Sequence, residues 1–217
     1  MFSVSPILRK VFSQMRKGIT DIALLQRIIQ LLASSIGSPI SAKKISDTLN
    51  ASGRRISVNT VDTYLQALLE SYIFYKTDRY DVKGRSFLNT RGKYYIVDLG
   101  LRNNLLVRSK PDLGPQIENL VYLELLRRGY EVSSGKLAEK EIDFVAQTAQ
   151  SHPHYQVAAS VLDENTLMRE RAPLKAIPDH YPKVLLTLDV IGSGTNIDGI
   201  QRKNLLDWVV GDDLPHR

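Results

Sequence analysis

Three residues in the second half of the chain, Glu118, Asp143 and Gln156, are of types that could together hold a divalent cation. Glu118 falls in a segment with helical spacing, Asp143 in an apolar strand, and Gln156 at the start of the next strand. Carboxylate and amide oxygens are hard ligands of the kind that Mg²⁺ prefers. A bound Mg²⁺ polarises a phosphate and activates a water molecule, as phosphodiester hydrolysis requires. The spacing therefore predicts a possible Mg²⁺ site for phosphodiester chemistry, with Glu118 and Asp143 as metal ligands.

The order of these residues resembles the core of the PD-(D/E)xK nuclease superfamily. The resemblance is carried by Pro115–Glu124, Lys140–Val145 and Tyr155–Ala158. That superfamily places a Lys two residues after the Glu or Gln, where this chain has Ala158. The resemblance implies a degenerate nuclease site, which has carboxylates but lacks the cation that orients the attacking water.

Two nearby lysines leave an active site open as an alternative. Lys136 and Lys140 precede Asp143 closely and could project into the same site, because some superfamily members relocate their Lys. Purely structural roles also stay open. Glu118 could complement the dipole of its helix in the first turn, and Asp143 could be an exposed strand residue.

The second half is predicted to form one domain over residues 111–211, in which helices and strands alternate. Its predicted elements are a helix at Gly114–Arg128, strands at Tyr130–Val132, Glu141–Ala146 and His154–Ala159, a helix at Glu164–Ala176, a strand at Lys183–Asp189 and a helix at Lys203–Val210. A turn at Ser133-Ser134-Gly135 is predicted after the first strand. This αβββαβ order matches the restriction-endonuclease-like core, so the fold class is α/β (α+β).

The first half is predicted to form a winged helix-turn-helix domain over residues 20–110. Three helices with apolar residues at three- and four-residue spacing are followed by a hairpin. The helices are Asp21–Ser34, Ser41–Leu49 and Ser57–Leu69, and the hairpin strands are Ile73–Thr77 and Tyr94–Asp98. In such domains the third helix enters the major groove and the wing contacts the backbone or the minor groove.

Polar side chains around the third helix are the candidate nucleic-acid contacts. They are Arg54, Arg55, Ser57, Asn59, Thr60 and Thr63, with Lys83 and Arg85 on the predicted wing. Arg and Lys neutralise phosphates, and Asn can read adenine through two hydrogen bonds. Ser57 is equally explained as a helix cap and Thr63 as a solvated position, and many winged helices contact proteins instead of DNA.

Charge is divided unequally along the chain. Residues 1–110 contain 18 Lys and Arg against 7 Asp and Glu, whereas residues 111–217 contain 11 against 16. The basic half is the expected contact for DNA. The chain has no Cys and no apolar run long enough to cross a membrane, so a cytoplasmic protein without membrane contact is expected. Residues 1–19 and 212–217 are expected to lie outside the two domains.

Residues 20–211 as a whole resemble the C-terminal part of a group of prokaryotic AAA+-type ATPases. The matching segments are Asp21–Gly37, Ser57–Ile73, Tyr94–Leu101, Pro115–Glu124, Gly129–Val132, Gly135-Lys136, Lys140–Val145, Tyr155–Ser160 and Tyr181–Leu188. The chain contains no Gly-x-x-x-x-Gly-Lys-[Ser/Thr] phosphate loop, so ATP hydrolysis is not expected of it. A truncated fragment, a decayed gene or a standalone derivative would each explain this, and a separate ATPase is a candidate partner.

The leading hypothesis is a non-catalytic nucleic-acid-binding or regulatory module with a degenerate nuclease fold. One alternative is an active metal-dependent nuclease that uses a relocated Lys. The other is a protein-interaction scaffold, which would have no salt-sensitive affinity for nucleic acid.

Overall fold

The computed structural model describes residues 19–84, 86–106 and 112–211, and within them the fold is mixed α/β with seven helices and a large mixed sheet. The chain divides into two compact units. The first contains residues up to Lys76 together with Tyr94–Ser109, and the second contains Thr77–Lys93 together with the chain from Lys110 onward. The sequence predicts a domain boundary between residues 110 and 111, whereas in the structure the second unit also includes Thr77–Lys93.

The first unit begins with three helices, and a side-chain oxygen caps the start of each. They are α1 (Ile22–Ser34), α2 (Ala42–Ala51) and α3 (Val58–Glu70). Asp21, Ser41 and Ser57 accept hydrogen bonds from the backbone N–H groups of Leu24, Lys44 and Thr60. These caps satisfy N–H groups that have no partner within the helix, which is why the helices begin at these positions.

Apolar residues of all three helices form the core of the first unit. From α1 the buried residues include Leu25, Ile28 and Leu32, and from α3 they include Val61 and Leu68. The short strand β1 (Pro39–Ile40) follows α1. The helix α4 (Leu99–Leu105), which the sequence analysis did not predict, adds the buried Arg102, whose Nε donates to the Ala33 carbonyl at 2.9 Å.

Two long strands contribute residues to both units. They are β2 (Phe74–Asp81) and β3 (Ser86–Ile96), and both extend farther than the short hairpin strands predicted from the sequence. Phe74–Lys76 and Tyr94–Ile96 belong to the first unit, and Thr77–Asp81 and Ser86–Lys93 belong to the second.

The second unit continues in the predicted order from its first helix to the strand Lys183–Thr187, and then adds the strands Asn196–Ile197 and Ile200–Asn204 before the last helix, which begins at Leu205 and not at Lys203. The elements are α5 (Leu113–Arg127), β4 (Glu131–Leu137), β5 (Lys140–Gln147), β6 (His154–Ala158), α6 (Glu164–Lys175), β7 (Lys183–Thr187), β8 (Asn196–Ile197), β9 (Ile200–Asn204) and α7 (Leu205–Val210). The strand order is β3-β2-β4-β5-β6-β7-β9-β8. Pairing is antiparallel for β4 with β5, β5 with β6 and β8 with β9, and parallel for β2 with β4, β6 with β7 and β7 with β9.

Helices cover this part of the sheet on opposite faces. Neighbouring residues of a strand point to opposite faces. Phe144 of β5 contacts Tyr122 of α5, with ring centroids 6.1 Å apart. The next residue, Val145, packs in a cluster with Leu174 of α6. The elements α5 and β5, which contain the carboxylates of interest, are therefore packed in the core of the second unit.

The turn predicted at Ser133-Ser134-Gly135 is wrong, because these residues lie inside β4. The pairing of β4 with β5 shifts register between Ser133 and Gly135. A Cβ at Gly135 would lie 2.9 Å from Ile142 Cβ and 3.0 Å from Val145 Cγ2. Gly135 thus permits close packing against β5, and a glycine in a strand often marks such an irregularity and not a turn.

Among the described residues, the longest apolar helices fall short of the length and hydropathy that crossing a lipid bilayer requires. The segments 1–18, 107–111 and 212–217 lie outside the described residues.

Candidate functional site

A buried lysine, Lys93 of β3, lies among carboxylates of the second unit. Its side chain is 4% exposed. Its Nζ lies 2.8 Å from Glu141 Oε1, 3.0 Å from Glu118 Oε1 and 3.8 Å from Asp143 Oδ1. Glu118 is in the first turns of α5, and Glu141 and Asp143 are two residues apart on β5. The helix α5 and the strand β5 thus place three acids around the ammonium group that β3 supplies.

These groups shift one another's protonation. Burial acts to lower the pKa of Lys93, but the charges of Glu118, Asp143 and Glu141 outweigh it and raise that pKa above its usual value. Burial and the charge of Glu118 raise the pKa of Asp143 to about 7, although Lys93 opposes the change. Lys93 is therefore a permanent cation at neutral pH, whereas Asp143 takes up a proton near neutral pH. The titration belongs to the coupled cluster.

Gln156 of β6 joins the cluster to α6. Its Oε1 accepts a hydrogen bond from the Asp143 backbone N–H at 3.4 Å, and its Nε2 donates to Glu170 Oε2 at 3.2 Å. The Asp143 Oδ2 accepts from the Val157 backbone N–H at 2.9 Å. Glu118, Asp143 and Gln156, which the sequence singled out together, are therefore brought together in the structure.

The donor set does not fit a divalent cation as it stands. Glu118 and Asp143, the predicted metal ligands, both face the Lys93 ammonium, and the other oxygen of Asp143 accepts a backbone hydrogen bond. A divalent ion shared by the two carboxylates would have to displace that ammonium. Within the described ranges, no group of three or more His, Asp or Glu side chains is arranged to hold a metal ion. The acids surround a cation that the chain itself supplies.

The two lysines proposed as relocated catalytic groups differ in position, and only Lys140 is engaged away from the cluster. Lys140 is exposed, and its Nζ donates to the Ala172 carbonyl at 3.2 Å. Lys136 is half-buried and pairs in register with Glu141 of β5. Ala158, where the superfamily motif has Lys, pairs in register with Thr187 of β7.

Lys93, Glu141 and Glu170 are the members of the cluster that sequence reasoning missed. Lys93 immediately precedes the apolar Tyr94-Tyr95-Ile96, and a charged residue bordering a buried strand was a possible signal. The residues around Lys93 in the sequence do not indicate that β3 comes near α5 and β5, so its place in the cluster could not be predicted.

The candidate nucleic-acid residues of the first unit surround the start of α3. Arg55 and Asn59 are exposed. Arg54 forms an ion pair with Asp21 at 2.9 Å. Val58–Glu70 contains Asp62 and Glu70 but no Lys or Arg, so positive charge near α3 comes from the residues before it.

The hydroxyl side chains in this set make local hydrogen bonds. Ser57 Oγ lies 2.8 Å from Thr60 Oγ1 and accepts from the Thr60 backbone N–H. Thr63 Oγ1 donates to the Asn59 carbonyl at 3.0 Å. The capping role considered for Ser57 is therefore present in the structure.

Of the two residues predicted on the wing, one lies in the second unit and the other lies outside the described residues. Lys83 is exposed and belongs to the second unit, where its backbone N–H donates to Asp81 Oδ1 at 3.0 Å. Arg85 lies outside the described residues.

Comparison with known proteins finds relatives without an assigned role. A family model described as a domain of unknown function (DUF8612) matches residues 7–112. The chain is 39% identical over 195 residues to an uncharacterized protein of Haemophilus influenzae, which covers 90% of this chain and 48% of that protein. It is 28% identical over 168 residues to an uncharacterized protein of Methanocaldococcus jannaschii, which covers 76% of this chain and 37% of that protein.

The chain thus spans about half the length, or less, of these two relatives. No solved structure matches it significantly.

Proposed function

We propose that this chain is a non-catalytic nucleic-acid-binding or regulatory module, with a winged helix-turn-helix in its first half and a degenerate nuclease-like domain in its second. The observation that carries the proposal is the position of Lys93, whose ammonium is 3.0 Å from Glu118 and 3.8 Å from Asp143. Hydrolysis by a nuclease of this kind needs a metal ion on these carboxylates. Here an internal cation neutralises them instead.

Two features support nucleic acid as the ligand of the first half. Residues 1–110 have an excess of eleven positive charges, counted over Lys, Arg, Asp and Glu. The three capped helices followed by β2 and β3 have the element order of a winged helix. Exposed Arg55 and Asn59 at the start of α3 are the side chains that we place on phosphate and base. Because α3 itself is acidic, Arg55 supplies the attraction at this end of the helix.

The regulatory part of the proposal concerns an ATPase partner. The sequence resembles the region that follows the nucleotide-binding domain in AAA+-type ATPases. The curated relatives are about twice as long as the matched region or longer, which leaves length for a further domain. We propose that the module acts with such an ATPase, in the same polypeptide or as a separate protein.

The experiment that tests this function measures cleavage and binding on the same samples. Labelled single- and double-stranded DNA and RNA are incubated with the full chain in Mg²⁺ or Mn²⁺, and fluorescence anisotropy is recorded across a salt series without divalent metal. We expect binding whose affinity falls steeply with salt, and no cleavage.

Metal-dependent cleavage that disappears in Asp143→Asn would contradict the proposal and identify a nuclease, with Lys93 as the relocated lysine. An affinity that is absent at low salt would instead favour a protein-interaction scaffold.

A further inference from the structure

A small pocket in the second unit lies outside the carboxylate cluster. Its apolar walls are Val82, just after β2, and Val145 of β5, and His154 of β6 also lines it. The cavity volume is about 60 Å³. This exceeds the volume that one water molecule needs several-fold. The pocket is large enough for the edge of a planar ring, and its opening leaves the rest of such a ring outside.

His154, which lines this pocket, has a buried ring nitrogen that makes no hydrogen bond within the described residues. Its side chain is 2% exposed, and its Nε2 lies 2.8 Å from Asp179 Oδ2. An ionised carboxylate can only accept, so Nε2 carries the proton and Nδ1 presents a lone pair. Burial lowers the pKa of His154, although Asp179 opposes the change, which favours this neutral form. The buried Nδ1 has no hydrogen-bond partner among the described residues. A buried acceptor of this kind gains stability from a ligand N–H or O–H donor.

Aromatic rings surround the opening of the pocket. His152 and Tyr181 line it and stack on each other, with centroids 4.9 Å apart and planes 17° apart. Tyr80 also lines it, and its ring meets Phe87 edge-to-face at 5.4 Å. Phe87 is 63% exposed and Tyr181 is 37% exposed. Flat rings with exposed faces stack well on another planar ring.

An exposed cation lies one residue from the pocket wall along the chain. Lys83, which the sequence analysis selected as a phosphate contact, directly follows the pocket wall Val82 and is exposed. Asp179, whose carboxylate accepts from His154 Nε2, also lines the pocket, and its negative charge repels a phosphate there. A ligand that carries a phosphate next to a planar ring would therefore place its ring in the pocket beside His154 and its phosphate outside, toward Lys83.

We propose that this pocket binds one unpaired nucleobase of a single-stranded nucleic acid, with a base N–H donated to His154 Nδ1, the ring stacked on Tyr181 and the adjoining phosphate near Lys83. In a duplex the Watson–Crick N–H groups are paired and both ring faces are stacked, so only an unpaired base offers that edge and a ring face together. The inference rests on the proposed nucleic-acid function and adds a single-strand site that is separate from the start of α3.

The test compares variants of the full chain by fluorescence anisotropy on single-stranded DNA, single-stranded RNA and duplex DNA. Tyr181→Ala removes the stacking ring, and His154→Phe removes the acceptor. Tyr72→Ala is the matched control, because Tyr72 is a 68% exposed tyrosine of the first unit. Stacking of a base on an aromatic ring predicts that Tyr181→Ala weakens single-strand binding by about five- to one-hundred-fold. Duplex binding and the control should not change.

A second readout does not depend on variants. Long-range ¹H–¹⁵N NMR reports whether His154 Nδ1 carries a free lone pair, and addition of a short single strand should shift this nitrogen as it gains a donor. The DNA and RNA samples identify the strand type, and a larger effect on either supports the site.

The results of these experiments distinguish failure of the pocket as a base site from failure of the proposed nucleic-acid function. If Tyr181→Ala and folded His154→Phe bind single strands as the wild type does, and the Nδ1 signal does not move, the pocket is not a base site. Duplex binding that depends on Arg55 would then still support the first unit as a DNA-binding module. A chain that binds no nucleic acid overturns both proposals.

Discussion

Lys93 Nζ lies 3.0 Å from Glu118 Oε1, although the two residues are 25 positions apart and belong to a strand and a helix. The Lys93 side chain is buried, and Glu141 and Asp143 complete the set of three carboxylates around its ammonium group. A buried ammonium needs such partners, because removing a charge from water is expensive unless it is paired. The same contact therefore stabilises the second unit and neutralises the acids that a nuclease would give to a metal ion.

Replacing Lys93 by a neutral residue of similar length should destabilise the second unit. Lys93→Met removes the ammonium group that Glu118, Glu141 and Asp143 share. Loss of one partner from a buried ion pair costs about 3–5 kcal/mol of unfolding free energy. Urea denaturation followed by circular dichroism measures the change.

The matched control is Lys140→Met, because Lys140 is exposed and its Nζ contacts one carbonyl. This change should alter stability by less than about 1 kcal/mol. Equal effects of the two substitutions would mean that Lys93 does not hold the cluster together.

The raised pKa of Asp143 predicts a pH-dependent difference between the wild type and Asp143→Asn. The ordinary pKa of an aspartate is 3.8, and burial in the folded protein raises the pKa of Asp143 to about 7. Between these values the folded state binds more protons, so wild-type stability falls as pH rises through this window and levels off above it. Asn cannot titrate, so the free energy of the wild type relative to Asp143→Asn should decrease over the same window. Denaturation of both proteins across that pH range measures this, and a difference that stays constant would contradict the burial of an ionisable Asp143.

Part of this architecture can be predicted from sequence. The caps Asp21, Ser41 and Ser57 act within four residues, so local pattern sufficed to place the first three helices. Glu118, Asp143 and Gln156 were grouped from their order along the chain, and they do meet. Lys93 was not predicted, because its approach depends on the pairing of β2 with β4 and on the length of β3, which are non-local.

A second buried ion pair, between Arg128 and Glu124, should stabilise the packing of α7 against α5. Arg128 Nε lies 2.7 Å from Glu124 Oε1, the guanidinium lies 4.3 Å from the Trp208 ring centroid, and Nη2 donates to the Trp208 carbonyl. Arg128→Met leaves Glu124 buried with less compensation and should lower the free energy of unfolding by about 3 kcal/mol or more.

Arg127→Met provides the comparison, because Arg127 contacts the same Glu124 from a side chain that is 57% exposed. Its loss should lower stability by about 1 kcal/mol or less. Thermal and urea unfolding of both variants give the ranking, and a larger effect of Arg127 would refute the assignment of Arg128 as the fastening residue.

Duplex DNA binding should depend on Arg55 more than on another exposed arginine of the same unit. Arg55→Ala should reduce the affinity and lower the slope of log K against log salt by about one. Arg27→Ala serves as the control, because Arg27 is exposed on α1 and its guanidinium donates to Ser52 Oγ at 3.5 Å. Anisotropy titrations at several salt concentrations measure both slopes. Identical losses for the two variants would indicate a diffuse charge effect without a defined contact.

Binding of Mn²⁺, followed by electron paramagnetic resonance, tests the central claim that Lys93 occupies the place of a divalent cation. Free Mn²⁺ gives a sharp signal that is lost on binding, and this ion has the hard-ligand preference of Mg²⁺. The wild-type chain at neutral pH should leave the signal of millimolar Mn²⁺ unchanged, as should Glu139→Gln, which alters an exposed acid outside the cluster. The account would be contradicted if the wild type and Glu139→Gln each bound Mn²⁺ stoichiometrically, so that the signal disappeared, while Asp143→Asn left the signal unchanged. That result would establish a metal site at Glu118 and Asp143.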